Sequence, residues 1–552
     1  MIPFPSDWSA DVDAYQVGHF ELIPPGMEDF QCSQGVFRKP LRYGGDERAD
    51  HRLMAAGTRI FIETCLKRQL TLEGIDETAE FLSTFHADTK PPFCKPYPFP
   101  KEMLKRVVTE FGGYLPVVLL ALPDGQAHYV GEPHVQVFCD VPGMGELVGW
   151  IESSMLPYQW VSSIVATRGR VRKDAYIDEY AKVYRNKTRD ELHQMVAYKF
   201  HDFGRRGGAS TQISGIAHLM NWLGTDTIDA ARAAWKYLNN KKPFGACSVM
   251  AAAHRTVTPW PTEDQSIRNA ISKFGNGILS FVADSYDYAR CLEALGSYAE
   301  VIKVRGGFLV GRPDSGDPVS TVLEGLTIFA KAFGIDEAQT AEASGMRVIQ
   351  NASILQGDGV SDRLLFEQLF PAVRMAGFSP SNLVVGMGEY NHRAVRSDTE
   401  DGYKTAIVGT PRLSEFDTGQ FDPRCYDKEG RYRKTMKGSK NLWKMSIPCP
   451  VAADFSGAAK GAYSNRIQPI TIEQLQAAKT GDLVCYYDGR AHNMRKVVIS
   501  RDLFQEDFIG TRARAWSSWD ELLPIVPDTF DREIREMQDV YLKQQGASLD
   551  RA

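Results

Sequence analysis

The sequence predicts an α/β protein whose central part is built from repeated strand–helix units. Four apolar segments in the second half of the chain each end in a small or acidic residue. Their ends, at Asp284, Asp314, Asp358 and Gly388, follow one another at intervals of 30 to 44 residues. That interval is typical of strand–helix units in a parallel sheet. Because α/β barrels carry their chemistry at the carboxyl ends of the strands, we expect these four positions to share one site.

The helix after the second of these strands has the clearest start signal. Asp317 is a suitable N-cap, and Pro318 fits the first helical position. The apolar residues that follow share one helical face, namely Val322, Leu323, Leu326, Phe329, Ala330 and Phe333.

Residues before about 150 have a different texture. Short apolar runs alternate with Pro and Gly, as at 112–116 and 122–125. Apolar runs bounded by turn residues indicate strands and hairpins. A further helix is expected at 531–545, near the C-terminus.

The composition excludes several classes of protein. The chain has 552 residues, with 64 basic and 69 acidic side chains and a net charge of −5, so a general coat for nucleic acid is not expected. Nine scattered cysteines without a C-x-x-C pair indicate reduced thiols in a cytoplasmic protein. The N-terminus lacks a signal-peptide pattern, and no apolar run is long enough to cross a membrane.

The segment 311–316, GRPDSG, is the richest candidate for ligand binding. The Arg312 guanidinium offers a fork for a phosphate. Asp314 can accept from a sugar hydroxyl, directly or through a metal-bound water. The glycine loops at 357–359 and 386–388 can present backbone N–H groups to a phosphate. Together they indicate a phosphorylated sugar across the barrel mouth; the alternative is an Arg–Asp pair that braces a turn.

Three further features have both a chemical and a structural interpretation. Phe203, in the loop HDFGRRGG at 201–208, can stack on a flat heterocycle, and Arg206 can pair with a phosphate or a ring. His254 among small residues is a candidate phosphate acceptor or acid/base, or a structural histidine. The basic run at 431–444 is a solvated face or a lid over nucleotide phosphates.

The order of several motifs carries a family resemblance. They are DAYQVGH at 13–19, YKFHDFG at 198–204, GTDT at 224–227, Ser248-Val249, Ala252 with His254, DSYD at 284–287 and RPDSG at 312–316. Over about 13 to 442 the chain resembles the nicotinamide phosphoribosyltransferase family.

The resemblance implies a type II phosphoribosyltransferase α/β barrel with a second, β-rich α+β domain formed from both chain ends. The implied limits are 151–394 for the barrel, 1–150 plus 395–500 for the β-rich domain, and 501–552 for a helical extension. The implied reaction joins nicotinamide to phosphoribosyl pyrophosphate and yields nicotinamide mononucleotide and pyrophosphate. Mg²⁺, ATP coupled through a phosphohistidine, and a homodimer with shared active sites are also implied.

The resemblance also assigns residues to the pyridine base. Phe203 and, from a second subunit, Tyr15 enclose the ring. Asp226 reads the carboxamide, while Ser248 and Ser280 line the same pocket. A carboxylate accepts from an amide NH₂ and repels the carboxylate of nicotinate, so Asp226 predicts a preference for nicotinamide.

The remaining roles concern phosphates and the metal. His254 is assigned as the phosphorylated histidine, Arg312 as a phosphate or ribose contact, and Asp284 and Asp314 as the organisers of Mg²⁺. Further substrate contacts are assigned to Arg206, Asp358, Gly359, Gly388, Arg396 and Lys404. Ala253 stands where the family has Glu, so ATP coupling is either weaker here or supported by other residues.

Three alternatives stay open from the sequence. One is a nicotinate-using relative, which Asp226 opposes. Another is a catalytically silent relative, for which Ala253 is the only support. The third is an unrelated phosphate-binding barrel such as an aldolase, which needs a Schiff-base lysine at a strand end.

Overall fold

Two compact units alternate along the chain. The first comprises residues 1–164, 235–242 and 394–552, and the second comprises 165–234 and 243–393. The domain limits implied above, with a barrel over 151–394, stay a prediction.

The computed structural model describes only part of the chain. The described residues are 8–37, 40–41, 51–85, 98–203, 209–388, 391, 394, 408–409, 451–454, 467–477, 479–491 and 506–522. The expected 531–545 helix and the basic run at 431–444 lie outside them.

The N-terminal part of the first unit mixes helices and strands. Its strands are β1 (Gln31–Val36), β2 (Arg52–Met54), β3 (Val118–Ala121), β4 (Ala127–Tyr129) and β5 (Pro133–Cys139). Its helices are α1 (Thr58–Phe61), α2 (Leu72–Thr84) and α3 (Lys101–Phe111), and α4 (Leu147–Ala181) continues into the second unit. Shorter helical segments cover Ala14–Glu21 and Ile62–Leu66.

The expectation of strands and hairpins before residue 150 is therefore incomplete. The Thr71 side chain accepts from the Gly74 N–H and starts α2, and Ile75, Thr78 and Leu82 are its buried face. Gly112, in a left-handed conformation, ends α3. The run at 122–125 does link β3 to β4, but β3 pairs with β5 while β4 pairs with β2, so it does not form a hairpin.

The second unit contains a parallel sheet. Its strands are β6 (Phe200–Asp202), β7 (Gly224–Thr225), β8 (Met250–Ala251), β9 (Ile278–Val282), β10 (Phe308–Arg312), β11 (Ala352–Gln356) and β12 (Leu383–Met387). Their spatial order is β7-β6-β12-β11-β10-β9-β8, and every pair is parallel. A parallel bridge between Gly224 and Cys247 joins the β7 edge to the segment before β8. The predicted α/β fold class, with a barrel-like sheet, is confirmed.

Helices connect these strands. They are α5 (Arg189–Val196), α6 (Ala209–His218), α7 (Ile228–Ala233), α8 (His254–Val257), α9 (Glu263–Phe274), α10 (Tyr288–Gly296), α11 (Ala299–Val304), α12 (Pro318–Phe333), α13 (Glu337–Glu342) and α14 (Phe370–Met375). Shorter helical segments cover Ala234–Leu238, Leu364–Leu369 and Pro380–Asn382. The predicted start of α12 is confirmed, because Asp317 accepts from the Ser320 N–H and Pro318 is its first residue.

The C-terminal part of the chain completes the first unit. It contributes β13 (Val408–Gly409), β14 (Val451–Ala453), β15 (Ile467–Pro469) and β16 (Val484–Asp488), and the helices α15 (Ile472–Gln476) and α16 (Phe508–Glu521). A short helical turn covers Gly489–Ala491. An antiparallel sheet in the order β13-β1-β5-β3-β16 combines strands from both chain ends. The Ser518 hydroxyl on α16 accepts from the Ala127 N–H at 2.9 Å and attaches this helix beside β4. No helix among the described residues is both long and apolar enough to cross a bilayer.

Candidate active site

A cavity of about 810 Å³ lies in the second unit, at the carboxyl ends of its strands. Its wall includes residues predicted from the sequence, namely Phe203, Asp226, His254, Ser280, Arg312, Asp314, Asp358, Gly359 and Gly388. Asp284 joins them through direct contacts with the wall. The strand ends at 284, 314, 358 and 388 therefore converge, as the strand–helix spacing predicted.

Two aspartates and a histidine form the acidic side of the cavity. Asp284 follows β9, and its Oδ2 accepts from the Asp314 N–H at 3.0 Å and from the Ser315 hydroxyl at 2.5 Å. His254 Nε2 lies 3.3 Å from Asp314 Oδ2 and 3.7 Å from Asp284 Oδ1. Its other ring nitrogen, Nδ1, is 3.0 Å from the Ser285 hydroxyl. Both ring nitrogens of His254 thus have a polar neighbour, although Ala253 stands where the family has Glu.

Arg312 ends β10 and lines the same cavity. Its Nη2 donates to the Ala252 carbonyl at 3.0 Å. Its buried Nε has no hydrogen-bond partner among the described residues. Because a guanidinium can only donate, this unsatisfied N–H is available for an anionic ligand.

The Phe203 ring packs against two glycines at the end of β12. A Cβ on Gly388 would lie 2.9 Å from the ring, and one on Gly386 would lie 3.1 Å from it. Even an alanine there would displace the ring, so the loop is glycine-rich for packing in addition to any phosphate contact. The aromatic ring is thereby fixed as a flat wall of the cavity.

Asp226 lies just beyond β7, also on the cavity wall. Its Oδ1 accepts from the Ser248 hydroxyl, and its Oδ2 is 3.8 Å from His201 Nδ1. The Asp226 side chain is 45% exposed, so it is open to a ligand. Burial lowers the pKa of the His201 imidazole, and the nearby Asp226 and Asp202 carboxylates oppose that shift. His201 is therefore a neutral neighbour of Asp226 at pH 7.

Ser280, in the middle of β9, lines the cavity. It is 1% exposed, and its hydroxyl has no hydrogen-bond partner among the described residues. On β11, Gln356 donates to the Asp358 carbonyl at 2.7 Å and so shapes the loop that presents Asp358 and Gly359. A buried hydroxyl without a partner is costly, which makes Ser280 a candidate ligand contact.

Ser248 does not line the cavity itself and reaches its wall through the hydrogen bond to Asp226. Four further predicted residues are not part of this cavity as described. Arg206, Arg396 and Lys404 lie outside the described residues. Tyr15 belongs to the first unit, on the helical segment Ala14–Glu21, and is 63% exposed.

Sequence reasoning missed His201, Ser285 and Ser315 as members of the site. His201 and Ser285 stand in motifs already quoted, directly beside residues that were assigned roles. Their adjacency in the chain was the available signal, whereas the residues that these three side chains contact, Asp226, His254 and Asp284, lie in other parts of the chain.

The donor set at the acidic side suits Mg²⁺. Asp284 Oδ1 is buried and lacks a hydrogen-bond partner among the described residues, and Asp314 Oδ2 lies nearby, beside the same His254 nitrogen. Mg²⁺ prefers oxygen ligands and is commonly bound by one or two carboxylates together with substrate phosphates. Within the described part of the chain no group of three or more Asp, Glu, His or Cys side chains could hold a metal by itself. The residues present therefore fit an ion whose remaining ligands come from substrate and water.

Comparison with known proteins agrees with this geometry. Residues 198–406, which supply much of the cavity wall, match the model of the nicotinate phosphoribosyltransferase (NAPRTase) family. In this segment the chain is similar to the NAPRTase family, which is a family of pentosyltransferases.

Curated relatives extend the similarity beyond that segment. The chain is 27% identical over 406 residues to the nicotinamide phosphoribosyltransferase of Xanthomonas campestris pv. campestris (strain 8004), covering 71% of this chain and 78% of the relative. It is 27% identical over 319 residues to the enzyme of the same name from Acinetobacter baylyi, covering 52% of this chain and 60% of that relative. The crystal structure of human nicotinic acid phosphoribosyltransferase aligns with a TM-score of 0.49 at 14% identity, covering 93% and 94% of the two chains.

Proposed function

We propose that this enzyme makes nicotinamide mononucleotide and pyrophosphate from nicotinamide and phosphoribosyl pyrophosphate, as a cytoplasmic enzyme of NAD salvage. The observation that carries the choice of base is Asp226, whose carboxylate lines the cavity and is held by the Ser248 hydroxyl. A carboxylate in this place accepts from a carboxamide NH₂ and repels a carboxylate. The curated relatives named nicotinamide phosphoribosyltransferase support the same choice.

The reaction requires the site to orient the base and to stabilise the charge of the leaving pyrophosphate. When the ring nitrogen displaces pyrophosphate, positive charge develops on the ribose and negative charge on the leaving group. In the proposal, Phe203 and Asp226 orient the base while the free Nε–H of Arg312 binds phosphate oxygens. Asp284 and Asp314 would hold Mg²⁺, which when bound neutralises the charge of the pyrophosphate.

The proposal includes ATP stimulation through His254. An imidazole nitrogen would attack the γ-phosphorus of ATP, ADP would leave, and water would later release phosphate from the phosphohistidine. The contacts of His254 with Ser285 and Asp314 orient the ring in place of the missing Glu.

The proposal also includes a homodimer, in which the exposed Tyr15 of one subunit covers the base bound by the other.

The base preference is tested by Asp226→Asn. An amide can donate to a carboxylate, so we expect the nicotinamide-to-nicotinate ratio of kcat/KM to fall by about 10-fold or more. Turnover of both bases is measured side by side. Asp229→Asn, which loses the same charge three residues later and accepts there from Gln212, is the matched control and should keep the ratio. An unchanged ratio in the Asp226 variant contradicts the role of Asp226, and faster use of nicotinate by the wild type contradicts the proposed function.

The ATP step is tested by His254→Ala. We expect ATP hydrolysis to be lost while some ATP-independent formation of nicotinamide mononucleotide remains, because the base and phosphate contacts are intact. Phosphate release and product formation are followed in the same samples, with and without ATP. Wild-type ATP hydrolysis in the variant would refute the phosphohistidine.

A further inference from the structure

A chain of buried hydrogen bonds in the second unit connects two parts of the cavity wall. Its members Arg172, His218 and Asn391 are each at most 2% exposed. None of them lines the cavity. They belong, respectively, to α4, α6 and the segment that follows β12.

The direction of every bond in this chain is determined. Arg172 Nη1 donates to Asn391 Oδ1 at 2.8 Å, and because a guanidinium has no acceptor, the amide oxygen must face it. Asn391 Nδ2 therefore faces His218 Nδ1, at 3.2 Å, and donates to it. His218 then carries its proton on Nε2, which donates to the Gly224 carbonyl at 2.9 Å.

Arg172 is itself fixed. Its Nε and Nη2 donate to the two carboxylate oxygens of Asp362, at 2.6 and 3.1 Å. The guanidinium also lies over the Phe200 ring, 4.7 Å from its centroid. This pairing leaves Nη1 pointing at Asn391, so the amide orientation is imposed from outside the cavity.

Each end of the chain reaches a wall of the cavity. At one end lies Gly224, two residues before Asp226. Gly224 packs directly against the His201 ring, since a Cβ on it would be 2.5 Å from that ring, and both His201 and Asp226 line the cavity. At the other end the Asn391 N–H donates to the Gly388 carbonyl at 3.0 Å, and Gly388 is the glycine on which Phe203 packs. Asn391 is thus hydrogen-bonded toward both the aromatic wall and the carboxylate wall.

We propose that Asn391 is a positioning residue for the pyridine base, which holds the Phe203 wall and the Asp226 wall at the separation that the base requires. The inference deepens the proposed function and rests on it. Asn391 acts through Gly388 and His218 and touches no reacting atom.

The test is Asn391→Asp, which keeps the shape of the side chain and the acceptor for Arg172. The new carboxylate would place an acceptor against His218 Nδ1, so His218 must take up a second proton. We expect the KM for the base to rise by about 10-fold or more with a smaller change in kcat and an unchanged KM for phosphoribosyl pyrophosphate. Imidazole nitrogen chemical shifts of ¹⁵N-histidine-labelled protein should show His218 as the Nε2–H tautomer in the wild type and doubly protonated in the variant.

Asn382→Asp is the matched control. Asn382 is 2% exposed and is satisfied by the Ile349 N–H and the Arg347 and Ser379 carbonyls, outside the cavity wall. This variant should lower the melting temperature and leave the KM for the base unchanged. Should Asn391→Asp fail to fold, Asn391→Ala removes the side-chain bonds to both Arg172 and His218 and should also raise the KM for the base.

Three results would overturn the inference. The first is a wild-type KM for the base in the Asn391 variant. The second is an equal rise of that KM in the Asn382 variant. The third is a wild-type spectrum with the His218 proton on Nδ1. The KM is measured with whichever base the wild type uses, so a nicotinate-specific enzyme would contradict the proposed function and leave this test intact.

Discussion

Asp284→Asn is expected to lower kcat/KM for phosphoribosyl pyrophosphate by about 10²- to 10³-fold. The asparagine oxygen can still accept from the Asp314 N–H and the Ser315 hydroxyl, so the turn after β10 is preserved. What disappears is the negative charge at the buried Oδ1. The Mg²⁺ concentration needed for half-maximal rate should rise together with the loss of activity, while the melting temperature stays near that of the wild type.

Asp317→Asn is the control for this prediction. It removes the same charge three residues beyond Asp314, where Asp317 caps α12, and asparagine is an equally good N-cap. Activity and Mg²⁺ requirement should both be unchanged. If the Asp284 variant retains wild-type kcat/KM, its carboxylate does not serve the metal or the leaving group.

Arg312→Ala should lower kcat/KM for phosphoribosyl pyrophosphate by about 10²-fold or more, mainly through KM. Arg312 lines the cavity and carries a buried Nε–H that no described residue satisfies. Arg312→Lys should recover only part of the loss, because an ammonium cannot reproduce a planar, two-pronged contact. Initial rates over a range of phosphoribosyl pyrophosphate concentrations give both parameters.

Arg305→Ala provides the matched arginine variant. Arg305 also donates to one main-chain carbonyl, that of Ile271, at 2.9 Å, but it does not line the cavity. Its loss should leave the KM for phosphoribosyl pyrophosphate unchanged. Equal effects of the two substitutions would show that the loss reflects general charge or stability and not a phosphate contact.

The elements that depend on short, local residue patterns could be predicted from the sequence. Strands β9 to β12 were located because each is a short apolar run that ends in Asp or Gly, and α12 was located by its Asp-Pro start. Since parallel strands place their carboxyl ends at one edge of a sheet, the sequence alone groups Asp314, Asp358 and Gly388. Phe203 and Asp226 entered through the family resemblance.

Contacts between side chains that are far apart in the chain could not be predicted, because they depend on which elements pack together in the fold. The contact between Asp226 and Ser248, or between Arg172 and Asn391, joins residues 22 and 219 positions apart, and no periodicity encodes such a pairing. Helices α2 and α3 were missed for a different reason. Their buried faces at 75, 78 and 82 and at 104, 107 and 111 have helical spacing, but Gly and Pro nearby favoured turns.

The antiparallel sheet of the first unit has a consequence for the order of folding. Strand β3 pairs with β16, as in the register of Val118 with Asp488, so the entire second unit is contained in the loop between these two strands. Closing a long flexible loop costs conformational entropy and slows folding, and a loop already shortened by a folded barrel costs less. During synthesis β3 emerges hundreds of residues before its partner and stays an open sheet edge until the ribosome has nearly finished. The barrel is therefore the natural first folding unit, and the sheet that joins the two chain ends is completed last.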